Sequence, residues 1–148
     1  MSIQQKIQEL EQLKRDVPKQ AKLIASKFKE QILDYVRVEQ LFKRGIDGNG
    51  NLLKEYTNFT KSIKIGKGQP IDRTTLLDTG QFFAFFDLKF EDEKLDIFST
   101  DSKSIKLIEK YGDSIFDLTI KNNEIVNKDI FEENLIKWIL NTKTFTQI

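Results

Sequence analysis

The sequence predicts an α+β domain: a long N-terminal helix, an antiparallel sheet built on a β-hairpin, and C-terminal helices. Three observations lead there. Apolar or small side chains recur every three or four residues from Ile3 to Phe42, the period of one helical stripe. The run QFFAFFDLKF (81–90) alternates between two faces and is followed by EDEK and LDIFST, as in two strands joined by a turn. Toward the end, Ile130, Phe131, Leu135, Trp138 and Ile139 return to helical spacing. At 148 residues the chain suits one domain, made of a helix over 1–44 and an α+β body over 45–148.

Within the first stripe, Lys, Glu and Gln fill the intervening positions and favour helix. An unbroken helix of this length reaches ~60 Å, longer than such a domain is wide. Pro18 removes a backbone donor, so a kink or break is expected near Asp16 and Pro18, with the strong helix over 17–44 and Gly45 closing it. GIDGNGNL (45–52) is turn chemistry. A short helix is expected over 57–65 with Tyr56, Phe59 and Ile63 on one side, and GKGQPIDR (66–73) reads as a loop. In the hairpin, Phe82, Ala84, Phe86, Leu88 and Phe90 share one strand face and Phe83 and Phe85 the other, with Leu95 and Ile97 together on the return strand. Asp101 or Thr100 caps a helix through Tyr111 that Gly112 stops. SIFDLTI (114–120) is ambiguous, and a last helix covers 127–140.

Composition narrows the chemistry. The chain has no Cys and no His, which excludes disulfides, thiolate metal sites and Ser-His-Asp or Cys-His catalysis. The start, MSIQQKIQELEQ, is polar and unlike a secretory leader, and no apolar run approaches the ~20 residues needed to cross a bilayer. Residues 1–75 hold 15 basic and 9 acidic residues, and residues 76–148 hold 9 and 14. Opposite signs at the two ends allow head-to-tail pairing of copies. Solvated charge with no special arrangement is the plainer explanation.

Several motifs invite chemistry. Asp78-Thr79-Gly80 matches the turn of aspartic proteases, which would require a homodimer so that two carboxylates share a proton; the plain alternative is a turn feeding the Phe strand. Asp47, Asn49 and Asn51 are spaced like a calcium loop, but Leu52 stands where Gly is required and the twelfth position holds no Glu. No Gly-rich phosphate signature is present, and the sequence calls for no cofactor and no metal. Lys61, Lys64, Lys67 and Arg73 lie in a Gly-containing stretch suited to facing DNA phosphates. Two apolar sets await cover: Phe83 and Phe85, and the early stripe Ile3, Ile7, Leu10 and Leu13. Each packs on its own body or docks on a neighbouring subunit.

Four stretches carry a family resemblance: GIDGNGNLLKEYTNFT, KGQPIDRTTLLDTGQFF, IFSTDSK and LIEKYGDSIFDLT. They resemble minor virion proteins of tailed phages, especially phages of gut Bacteroidetes, of the head–tail connector, neck and tail-completion type. The likeness covers roughly residues 45–119 in motif and 1–140 in element order. Thr79-Gly80 before a hairpin, and Lys110-Tyr111-Gly112 followed by Ile115-Phe116 and Leu118-Thr119, carry most of it. SIFDLT lacks the Pro that many such proteins place there. The resemblance implies a non-enzymatic structural subunit of a homo-oligomeric ring in a virion assembled in the host cytoplasm. It also implies portal, adaptor or tail subunits as partners and double-stranded DNA nearby. A small nucleic-acid-binding or regulatory protein is the alternative, and a homodimeric aspartic protease a more distant one.

Overall fold

The computed structural model describes residues 2–142. The architecture is mixed helix and sheet, with a long N-terminal helix, one antiparallel hairpin and C-terminal helices. Helix α1 spans Ile3–Lys27. It opens on a capping box: Ser2 Oγ accepts from the Gln5 N–H at 3.1 Å, and Gln5 Oε1 accepts from the Ser2 N–H at 2.9 Å. Pro18 lies inside α1 without breaking it, which corrects the expected break. Pro18 and Lys14 are both exposed, so the Lys14 carbonyl that loses its partner faces solvent. The interruption falls instead at Phe28, whose φ of −103° and ψ of 20° leave the helical region.

Helix α2 (Lys29–Asp34) follows and buries Ile32 and Leu33. The chain then widens into a π-helical segment, Tyr35–Phe42, that buries Val36, Gln40 and Leu41. Tyr35, Val38 and Phe42, expected on the buried stripe, are only partly covered. The pause at Phe28 and the wider winding rotate the buried face onto Leu33, Val36 and Leu41. Gly45 closes the run as expected, at φ 61° with its N–H bonded to Leu41 O at 3.0 Å. A Cβ there would also lie 2.9 Å from Thr74 O.

The next loop docks through its backbone. Asp47 Oδ1 accepts from the N–H groups of Asn49 and Asn51, and Oδ2 accepts from Ser114 Oγ. Both carboxylate oxygens are therefore used within the protein. Helix α3 (Asn58–Gly66) starts on Thr57, whose hydroxyl accepts from the Thr60 N–H. Two of the three residues expected on its inner side are turned outward, Phe59 at 75% exposed and Ile63 at 45%, while Tyr56 is half-buried and Lys64 is buried.

The phenylalanine run is not all strand. Gln81–Ala84 forms one helical turn, α4, entered through Gly80 at φ 88°. Winding one turn puts Phe82 and Phe86, four residues apart, on the same side, with ring centres 5.0 Å apart in an edge-to-face pair. Both also meet Phe116. A strand over 81–86 would have put Phe83 and Phe85 together on the far face. Strand β1 (Phe86–Glu91) pairs antiparallel with β2 (Lys94–Ser99), with Leu88 opposite Ile97 and Phe90 opposite Leu95. An isolated hairpin is barely stable in water, so its apolar face relies on the helices. β1 packs on α1 and α2, and the Phe90 ring stacks on Phe131 at 5.5 Å.

Helix α5 (Ser104–Tyr111) ends at Gly112, φ 86°. Asp101 Oδ1 accepts from the Lys103 N–H at 2.7 Å just before it. The ambiguous segment is a 3-10 turn, Asp113–Phe116, that buries Ile115 and Phe116. The last helix begins earlier than expected, at Ile120, because Thr119 caps it through the Asn122 N–H. It runs as α6 (Ile120–Ile125), a second π segment (Val126–Glu132) and α7 (Glu133–Leu140).

Candidate functional site

The 74–80 segment is bolted to the body by side chains, and this builds a cleft. Thr74 Oγ1 donates to Lys54 O at 2.6 Å, and the Thr75 N–H donates to Tyr56 Oη at 2.9 Å. Gln69 Nε2 donates to Asp78 O at 2.6 Å. The Lys64 stem threads inward from α3, and its ammonium donates to Leu77 O at 2.6 Å and Gln69 Oε1 at 3.2 Å. The same ammonium lies 4.8 Å from the centre of the Tyr56 ring. A lysine is seldom this buried; here two hydrogen bonds and an aromatic face replace water.

Helix α5 supplies the opposite wall. The result is a cavity of about 240 Å³ between α3, the 76–79 turn and α5. Leu76, Leu77, Phe82 and Leu107 give it apolar lining, and Lys64, Lys103, Lys110, Tyr56 and Tyr111 polar lining. Asp78 is the single carboxylate among its described lining residues. Lys67 Nζ donates to Asp78 Oδ1 at 2.5 Å, and Lys103 Nζ stands 4.0 Å from Oδ2. The hydrogen bond from Lys67, helped by the charges of Lys67, Lys103 and Lys64, holds the Asp78 carboxyl below its ordinary value. The cleft is thus cationic around one ionised carboxylate, which suits it to receive a further anionic group with an apolar stem.

The candidate residues are dispersed by the fold. Of the basic set, Lys64 is buried, Lys67 is held by Asp78, and Lys61 is half-buried. Arg73 donates to Phe42 O and pairs with Asp72. The Asp78-Thr79-Gly80 turn lies at the cleft, with the Thr79 hydroxyl accepting from the Gln81 N–H. Phe83 packs against the core and Phe85 is half-exposed; Arg37 reaches Phe83 O from the first π segment and pairs with Asp34 and Glu30. Ile3, Ile7 and Leu10 are 81%, 49% and 41% exposed, and Leu13 is half-buried. Among the described residues, no three acidic side chains converge on a metal position, and no helix is long and apolar enough to cross a membrane.

Lys103, Leu107, Lys110 and Tyr111 were not read from sequence as part of a site. Their i, i+4, i+7, i+8 spacing marks one face of α5, but nothing local says that this face meets the 76–79 turn. A second cleft, lined by Gly48, Leu95, Phe116, Asp117 and Ile120 among others, has Asp117 as the one ionisable side chain among its described lining residues. Burial, with Asp113, Asp96 and Asp47 nearby, pushes the Asp117 carboxyl up. Comparison with protein-family models, with curated proteins and with solved structures finds no match for the chain.

Proposed function

We propose that the chain is a structural subunit of a ring at the head–tail junction of a tailed phage, part of the connector, neck or tail-completion apparatus joining portal to tail. The observation that carries this reading is the start of α1. A capping box fixes the helix from its first turn, yet Ile3, Ile7 and Leu10 stand exposed along one edge. A helix capped at its first residue, with an uncovered apolar edge, is built to dock on another surface. The sequence resemblance to minor virion proteins points the same way. Partners in this reading are copies of the chain and portal, adaptor or tail subunits. Repetition of a modest interface around a closed ring gives a stable assembly. Because Lys64, Lys67 and Arg73 have partners within the protein, DNA passing such a ring is met through general charge rather than a dedicated groove.

Light scattering after size exclusion, with electron microscopy of the same fractions, tests the reading. Closed rings of the chain, alone or on a purified portal, are expected. A strict monomer at every concentration that binds no virion protein rejects it.

A further inference from the structure

The lysine cleft and the hairpin tip are complementary in charge and sit apart on the same molecule. The described lining of the cleft holds three lysines, Lys64, Lys103 and Lys110, and one carboxylate, Asp78. Lys103 reaches only the edge of Asp78, at 4.0 Å, and remains about half exposed. Lys110 lies over the Tyr111 ring at 5.2 Å and has no ion pair with any described residue. The tip, Glu91, Asp92 and Glu93, is exposed. Asp92 and Glu93 make no ion pair with any described residue, and Glu91 comes only within 3.9 Å of Lys89. Lys19 and Lys22 share a groove with the tip without pairing with it.

The two features cannot meet within one copy. Phe82, at the cleft, is next to the start of β1, and β1 carries the chain from Phe86 to Glu91. Five steps of strand span roughly 17 Å. The lining residues of the two sites do not overlap.

We propose that the cleft receives the acidic hairpin tip of a second copy of this chain. The Asp92 and Glu93 carboxylates of one copy approach the Lys103 and Lys110 ammonium groups of the next, and the side-chain stems pass over Leu107 and Tyr111. The donor and acceptor surfaces differ, so the contact is head to tail, the geometry that closes a ring or grows a filament. The inference rests on the ring reading and names one of its interfaces. Charged contacts of this kind set register and partner choice.

The chain has no native cysteine, which makes a cross-linking test clean. A double variant, Glu93→Cys with Lys110→Cys, is expected to give a ladder of covalent oligomers on mild oxidation. Each single variant stops at dimer, and a Glu93→Cys, Lys54→Cys control gives no ladder. Reversing the cleft, Lys103→Glu with Lys110→Glu, is expected to weaken association at least ~10-fold. Mixing in copies with Asp92→Lys and Glu93→Lys restores it. Circular dichroism of each variant establishes that it is folded. If folded chains form rings by microscopy but the double variant gives no ladder, this interface is wrong and the ring reading stands. A chain that neither forms rings nor cross-links overturns both.

Discussion

Gln40 is completely buried, and its amide makes three hydrogen bonds. Nε2 donates to Asp117 O at 2.8 Å, and Oε1 accepts from the Thr119 N–H and the Asn122 amide, each at 2.9 Å. It ties the first π segment to the N-terminus of α6. Gln40→Leu keeps the volume but removes all three hydrogen bonds to partly covered partners, so a loss of about 1–3 kcal/mol is expected in urea unfolding. In sequence Gln40 is one more polar residue on a helix; nothing local marks it as core. Asp78 makes a pH-dependent contribution. Its carboxyl is held below the ordinary value of 3.8, so the native state binds that proton less readily than the unfolded chain. Stability from this group is therefore present above 3.8 and lost as pH falls through the lower folded value. Asp78→Asn should remove this part of the acid sensitivity, read as a flatter difference in urea midpoint against pH. Asp117, pushed up, works with the opposite sign: its protonation as pH falls favours the native state.

At the scale of elements, α1 and the hairpin both carry local costs. Pro18 denies α1 one internal hydrogen bond. Pro18→Ala is expected to raise thermal stability, by about 1–3 kcal/mol, with no change of fold. The turn joining β1 and β2 has Asp92 at φ 51° and Glu93 at φ 62°, a left-handed pair for which Asn-Gly is preferred. Glu93→Gly should stabilise the monomer by about 1 kcal/mol. In the same variant, association through the lysine cleft should weaken, so melting and sedimentation move in opposite directions. The first π segment explains why helical periodicity misplaced the buried face over residues 35–42, whereas the expected face of the last helix holds, with Ile130 and Phe131 buried. In the first segment, Val36 and Leu41 are buried five residues apart. A reading tuned to three- and four-residue steps divides such a pair between faces.

For the whole molecule, the exposed edge of α1 is the place to separate folding from the assembly proposed above. Replacing Ile3, Ile7 and Leu10 together by Asp should lower the melting temperature of the monomer only modestly, because Ile3 lies largely in water and Ile7 and Leu10 are about half exposed. Ring formation should be lost in the same variant, by light scattering. Periodicity and turn chemistry were enough to locate the long helix, the hairpin, the Gly45 and Gly112 stops and the exposed loops, because each depends on residues close in the chain. Tertiary structure decided what depends on distant partners. The helix runs through Pro18 because that face meets solvent, and Phe82 winds into a helical turn because Phe86 and Phe116 offer it an aromatic pocket. Lys64 goes inward because Leu77 O, Gln69 and Tyr56 can hold its charge. The lysine cleft is invisible in sequence for the same reason: its walls come from segments around 56–64, 76–82 and 103–111, and only packing brings them together.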